Sequence, residues 1–501
     1  MTLAGPRDST IAIVGDGFGS SLVYSTAVYL GFRPEQVTVF GPNASPVDTY
    51  QQFAFNLGQT VLRSESESHF LPADWPTFAQ LDAWARRSPA PLLRSVRRRY
   101  NPGVGEILAE ATTVQRRLGW DASRLPVRIG WLQREQHPTP HFTLYDEQAN
   151  YAGRARHVML AIGHGPLAYP PALARAREDP ALADRIVQAY EPKAYAPGGR
   201  YVVIGAGIAS VNEWANALDT GAKVVSLLRS PTPDEQDLNT PRCFFEALGI
   251  DAFQGLSVDR RLAFLGQILK GTAPRRRGWE ERVREGRDQG RFEQLMGEID
   301  EVGPGPAGLR IHVSNRHGPD PGWLEVTGVV AGTGFQKSGL TLPLLRRLVQ
   351  FYDLPVQDGR LLLHSNCGVP GLDQPSSRLC MMGIHANPVV PHGDTIAGLK
   401  YVARRFVADC ARAERIRYRR GYARRMARFV RERVDRGELP DQDPDTTAAA
   451  LIGAIVEALV SPLSPVAGGN ADPDAVIAAL TAFCRRAVGA ELPPAARAAN
   501  A

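Results

Sequence analysis

The chain has 501 residues, of which 44% are apolar and 22% charged, enough apolar side chain for about two or three domains with cores of their own. That balance excludes a fibrous or disordered chain. The formal net charge of +6 is carried mostly by arginine, the lysines being only Lys193, Lys223, Lys270, Lys337 and Lys400; the phosphates of a small ligand explain so dilute an excess as well as nucleic acid would, and no nucleic-acid partner is expected.

The polar start MTLAGPRDST runs directly into an apolar strand, IAIVG, with no basic-then-apolar secretion signal, so the cytoplasm is the expected location. Residues 10 to 40 read as strand, glycine turn, helix and strand: IAIVG, FGSSLVYSTAVYLGF and VTVF form one βαβ unit. Residues 201 to 229 repeat it as YVVIG, IASVNEWANALDTG and VVSLLR. Each unit turns through glycines, Gly15, Gly17 and Gly19 with Ser20 in the first, Gly205 and Gly207 with Ser210 in the second. Such a turn aims main-chain N–H groups and the positive end of a helix at a pyrophosphate, and a small third residue keeps the helix packed on its strand. Two such devices in one chain point to two dinucleotides, and the usual reason to hold two is to pass a hydride between them.

Each unit is followed by an apolar strand ending in a glycine turn, HVMLAIGHGP (His157 to Pro166) and GVVAGTGF (Gly328 to Phe335). Pro- and Gly-rich segments, YEPKAYAPGG before Tyr201 and EVGPGPAGL near Gly303, mark the expected boundaries. The expected architecture is α/β, two Rossmann-like FAD/NAD(P)-binding domains with the second inserted in the first. An FAD-binding domain takes residues 1–195 and 335–435, an NADP-binding domain takes 196–334, and a helical C-terminal extension takes 436–501. The charged stretch between 260 and 300, with RRRGWEERVREGRDQGRFEQL, reads as helical, either a solvated face or a phosphate-gripping arm. A basic helix is expected from Arg404 to Arg433, then two helices in the alanine-rich tail, read as a cap or a homo-oligomer contact. The longest apolar stretch, Ala448 to Val460, is interrupted by Glu457 and falls short of the roughly 20 residues of a bilayer crossing.

The residue ending the second strand of each unit selects the ribose. In the second unit it is Arg229, followed by Ser230, where an acid would hold the two hydroxyls of NAD; a guanidinium there suits a 2′-phosphate, so NADPH is expected. In the first unit Gly41 stands where FAD binding calls for an acid, with Asn43 or Asp48 available as ribose contacts. Cys243, Cys367, Cys380, Cys410 and Cys484 are scattered without a CxxC pair, which suggests neither a disulfide framework nor a metal knuckle and leaves a disulfide reductase without its close thiol pair.

The two glycine loops, the AIGHG and AGTGF strand ends and the late HGDTIAGLKYVARRF (His392 to Phe406) together resemble the flavoproteins with paired FAD and NAD(P) domains, and most of all the N-hydroxylating branch of the single-component flavin monooxygenases. Ala331, Gly332, Thr333, Gly334 and Phe335 match that branch's alanine-threonine-glycine turn with one glycine inserted. The resemblance implies that Gly15, Gly17, Phe18, Gly19, Ser20 and Asn43 hold FAD and that Gly205, Gly207, Ile208, Ala209, Ser210, Arg229 and Ser230 hold NADPH. It implies that the turn with Thr333 and Gly334 carries the chain between domains, and that Gly393, Asp394 and Thr395 open a helix facing the flavin. It also brings Arg63, His69 and Trp75 toward the flavin ring, and places His385, Asn387 and His392 close to the flavin helix. The FxGxxxH signature of the Baeyer–Villiger and amine-oxidising branches is missing, since no histidine falls between His164 and Tyr201. The implied activity is hydride transfer from NADPH to FAD, then oxygen transfer from dioxygen to an amine or other soft nucleophile of a small molecule. A flavoprotein reductase or dehydrogenase without oxygen transfer, and a nucleotide-binding sensor without turnover, are the alternatives.

Overall fold

The β-branched run Ser9–Val14 forms a strand buried along its last five residues, paired in parallel with Val37–Phe40 on one side and Tyr151–Leu160 on the other. Such a continuous apolar strand needs cover on both faces. The computed structural model describes residues 5–63, 69–70, 77–97, 101–230, 232–236, 241–268, 271–274, 279–316, 318–459 and 472–490. In order across the first sheet lie Arg124–Leu125, Val37–Phe40, Ser9–Val14, Tyr151–Leu160, His141–Asp146 and Ile129–Glu135, with Leu379–Met381 also paired to Tyr151–Leu160. The chain therefore leaves this sheet after Leu160 and returns to it at Leu379.

Between those points lies a second sheet of five parallel strands, ordered Phe292–Met296, Lys223–Leu228, Arg200–Ile204, Gly328–Ala331 and Ile186–Gln188. One face packs on the helix Ile208–Asp219 through Val203, Val224, Val330 and Trp214. The other packs through Val202, Val225 and Val329 on Ile311 and Val313 of a three-stranded antiparallel sheet, Glu298–Gly305, Gly308–Ser314 and Gly322–Val326. Truncating a ring as buried as Trp214 to alanine typically costs about 3–5 kcal/mol.

Three details differ from the sequence reading. The helical pattern proposed up to residue 300 ends at Asp288, and Phe292–Met296 is a strand, because its apolar side chains complete the edge of the second sheet beside Lys223–Leu228. The Pro- and Gly-rich segment around Gly303 is a β-hairpin arm, not a boundary; Pro304 is tolerated because Glu298–Gly305 is an edge strand, where a missing N–H leaves no ladder bond unmade. The strand Ile186–Gln188 joins the second sheet although it precedes residue 196.

Residues up to Ala408 form one compact unit and those from Asp409 a second. The 40-residue helix Ile396–Asp435 begins in the first. The second unit also contains the helices Pro444–Leu459 and Pro473–Ala487. Among the described residues no helix is long and apolar enough to cross a membrane.

Candidate functional site

At the first glycine loop the strand Ser9–Val14 turns into the helix Phe18–Tyr29. Gly15 has φ +112°, and a Cβ on it would lie 2.1 Å from the Ala161 carbonyl oxygen, so only glycine makes this turn. Gly17 precedes the helix, whose first N–H groups receive no side-chain cap, and a Cβ on Gly17 would meet nothing within 4 Å. Open space before unpaired helix N–H groups fits a diphosphate. Gly19 packs against Met382, whose Sδ is 3.1 Å from its Cβ position, and Ser20 is fully buried, as the small residues of this turn require. Phe18 packs at a tilt on Tyr50 and edge-on to Phe70, with centroids 4.8 and 5.1 Å away.

The end of the second strand holds a carboxylate that sequence reading missed. Asp16, between the two glycines, reaches across to Gly41: its Cγ and Oδ2 each lie 2.3 Å from where a Gly41 Cβ would be. Its Oδ2 accepts the Asn43 main-chain N–H (2.5 Å) and its Oδ1 accepts the Asn43 side-chain amide (2.9 Å). That amide also donates to Thr49 Oγ1 (3.1 Å), and Arg124 donates to the Asn43 carbonyl (3.0 Å). Burial pushes the Asp16 carboxyl above the ordinary range, and the Asn43 hydrogen bonds pull it back. Asp48 accepts the N–H of Ser45 (2.9 Å) at the start of its own helix. The sequence signal that could have found Asp16 is an acid inside the glycine turn of the unit that lacks one at the strand end.

The second loop repeats the turn and differs in front of it. Gly205 has φ +100°, and Ser210 fills the space beside Gly332, whose Cβ position is 2.0 Å from Ser210 Oγ. Helix Ile208–Asp219 has no side-chain cap, and Ala209 and Ser210 are buried. Gly207, however, faces main chain: Gly271 Cα lies 3.3 Å from its Cβ position. The covering segment is held by the Ala273 N–H to the Asp234 carbonyl (2.8 Å) and by pairing of Ala273–Pro274 with Glu235–Gln236. Arg63 pins it, donating to the Thr272 carbonyl (2.7 Å), to Thr272 Oγ1 (3.0 Å) and to the Gln236 carbonyl (2.9 Å). Arg229 and Ser230 are exposed just beyond the strand Lys223–Leu228.

The helix behind this loop carries a buried charge. Glu213 is fully buried and pairs with Lys193 (3.2 Å) while accepting the Tyr195 hydroxyl. Lys193 also donates to the carbonyls of Asn56 (3.2 Å), Ala189 (2.5 Å) and Glu191 (2.9 Å). Desolvation pushes the Glu213 carboxyl up to about 7 against the pull of Lys193.

The two chain crossings between the sheets lie side by side. The Ala168 N–H donates to the Gly334 carbonyl (2.9 Å), and the Gln336 N–H to the Pro166 carbonyl (2.8 Å). Thr333 donates its hydroxyl to the Ala168 carbonyl, and the Gln188 amide donates to the Gly334 carbonyl (2.8 Å), so Thr333 and Gly334 fasten the crossing. Phe335 stacks with His164 and packs on Tyr190 and Phe53, at 4.5, 5.1 and 5.8 Å between centroids.

Next to His164 the late segment gathers several expected residues. His385 Nε2 lies 3.0 Å from the carbonyl of Gly163 and burial holds its pKa down at about 4, so the ring is neutral near pH 7 and donates through Nε2. Asn387 is fully buried, and its amide donates to Asp394 (3.4 Å). A Cβ on Gly393 would lie 2.8 Å from Asn387 Oδ1 and 2.9 Å from the Gly383 carbonyl oxygen, so the close approach demands glycine. His392 is buried beside Phe245 and likewise held at about 4 by desolvation. The helix starts at Ile396 and is capped by Thr395, whose Oγ1 accepts the Gly398 N–H (3.1 Å). His69 is buried, stacked on Phe78 with Nδ1 2.6 Å from Glu110 Oε1. Trp75 lies outside the described residues.

No protein-family model matches the chain. No curated protein matches it either. Solved structures do. The ornithine hydroxylase of Pseudomonas aeruginosa superposes with a TM-score of 0.63 at 12% identity, over 81% of this chain and 99% of that one. The ornithine N-hydroxylase of Kutzneria sp. 744, solved with reduced FAD, NADP+ and L-ornithine, gives 0.63 at 14% identity, over 82% and 100%. The L-lysine 6-monooxygenase of Pseudomonas syringae gives 0.62 at 16%, over 81% and 100%. The chain has the fold of the N-hydroxylating flavin monooxygenases.

Proposed function

We propose that the chain is an FAD-dependent monooxygenase that takes hydride from NADPH and hydroxylates an amine or other soft nucleophile of a small molecule. In the balanced reaction NADPH, a proton, dioxygen and the amine give NADP+, water and the hydroxylamine. The observation that carries this reading is the first loop: in a fold shared with N-hydroxylating enzymes, Gly17 stands open before uncapped helix N–H groups.

Gly15, Gly17, Phe18, Gly19 and Ser20 would hold the FAD diphosphate, with Asn43 at the adenosine end. Gly393, Asp394 and Thr395 would lie toward the ring system, beside His385 and Asn387. Gly205, Gly207, Ile208, Ala209 and Ser210 would hold the NADPH diphosphate, Arg229 and Ser230 its 2′-phosphate, and Thr333 and Gly334 the crossing between the two. Bound FAD supplies a hydride acceptor that reacts with dioxygen. The protein contributes position and a water-poor surround: His385 and His392 are neutral near pH 7 and add no cation to the cluster. A diphosphate reaching Gly207 must displace Gly271, so NADPH binding moves the covering segment that Arg63 pins.

The test is product analysis. FAD-loaded protein supplied with NADPH, oxygen and a panel of small primary amines is expected to yield a hydroxylated amine in step with NADPH consumption. NADPH oxidation that yields only hydrogen peroxide or reduced acceptor with every amine would replace the monooxygenase by a reductase.

A further inference from the structure

Gly41 ends the second strand of the first βαβ unit, where a dinucleotide site uses an acid to hold the adenosine ribose. Its backbone does not require glycine, since Gly41 is not among the residues of positive φ. What requires glycine there is Asp16. The Asp16 Cβ, Cγ and Oδ2 lie 2.5, 2.3 and 2.3 Å from the Gly41 Cβ position, so the carboxyl group fills the volume into which a side chain at 41 would grow. The two positions read as a pair: one supplies a carboxylate, the other makes room for it.

The carboxylate is also aimed. Asn43 donates to each of its oxygens, and Asn43 is itself fixed by Thr49 and Arg124. A carboxylate offers about four acceptor sites, so the two Asn43 bonds and the one from its own main-chain N–H leave room for a ligand hydroxyl. Asp16 directly precedes open Gly17, and its carboxyl reaches the end of the neighbouring strand, so it spans from the proposed diphosphate space to the proposed ribose position. Resting on the reading of this unit as the FAD site, we propose that Asp16 is the adenosine-ribose acceptor, a carboxylate delivered from the glycine turn in place of one at the strand end, accepting a hydrogen bond from the ribose hydroxyls.

Flavin-stripped full-length protein titrated with FAD, with FMN and with an FAD analogue whose adenosine ribose lacks both hydroxyls tests this by flavin fluorescence. The native protein is expected to bind the analogue about tenfold or more weaker than FAD, as befits lost hydrogen bonds to a charged acceptor. Asp16→Ala should bind FAD and the analogue equally, with FMN affinity unchanged. Moving the acid back, Asp16→Ala with Gly41→Glu, should recover the preference for FAD. A native protein that binds FAD and the analogue alike overturns the assignment without any variant. So does an Asp16→Ala protein that weakens FMN as much as FAD while its flavin-free melting temperature drops, since Asp16 would then only clamp the loop. Native protein that binds no flavin at all overturns the FAD reading and this assignment with it, a result distinct from flavin binding without ribose discrimination.

Discussion

The two glycine loops share a turn and differ in their surroundings. Gly17 faces open space, whereas Gly207 faces the main chain of Gly271. The first loop carries an acid within the turn, Asp16, and a glycine at the strand end, Gly41; the second carries Ala206 in the turn and exposed Arg229 at the strand end. On the proposed function, one corner would offer a carboxylate to ribose hydroxyls, and the other a cation to a 2′-phosphate. On that proposal the open loop would take a resident cofactor, and the covered one a visitor that displaces the Gly271 main chain on entry.

The largest expected effect is on the covered side. Lys193→Met leaves Glu213 buried without its counter-charge and takes the donor from the carbonyls of Asn56, Ala189 and Glu191, and should cost about 3–5 kcal/mol in denaturant unfolding. The same carboxyl sets a pH dependence. With its pKa raised to about 7 in the folded state, the folded protein keeps a proton that the unfolded chain releases. The resulting stability is present below the ordinary glutamate range and is lost as pH rises through about 7. That slope should vanish in Glu213→Gln, whose neutral amide cannot titrate.

The next effect separates the loops directly. Gly17→Val puts a side chain into open space, so the flavin-free protein should melt as the native one does while FAD affinity falls about 100-fold, ~2.8 kcal/mol. Gly207→Val must push Gly271 aside, so there the flavin-free melting temperature itself should drop. Equal behaviour of the two variants would break the comparison.

Arg229→Ala should raise the KM for NADPH about 10–100-fold, the scale of ~1.5–3 kcal/mol for hydrogen bonds to a charged partner, and leave the KM for NADH unchanged. The smallest effect runs in the other direction. Arg63→Ala unpins Thr272 and Gln236, so the open form gains population and NADPH should bind about threefold tighter, with FAD affinity unchanged in the same titrations.

Both βαβ units, the apolar strands ending in glycine turns and the late helix were legible because each is a local pattern. Gly15 and Gly205 show their positive φ in the sequence as glycines after β-branched runs. Contacts between distant segments were not legible. That Asp16 answers for Gly41 depends on how far a turn side chain reaches across to a neighbouring strand, and that Gly271 lies over Gly207 depends on where a long connection lands. Phe292–Met296 read as helix because charge dominates its neighbourhood, and only the vacant edge beside Lys223–Leu228 makes it a strand. The resemblance brings Arg63 toward the flavin ring; that it also bonds the carbonyls of Thr272 and Gln236 and the Thr272 hydroxyl depends on the same distant connection.

The most direct measurement is anaerobic rapid mixing of the FAD-loaded protein with NADPH while the flavin absorbance is followed. Bleaching to the reduced spectrum, slower with NADH and faster in Arg63→Ala, is the expected result. A flavin that stays oxidised with either nucleotide, in the native protein and in Arg63→Ala alike, would contradict the pairing of the two loops for hydride transfer.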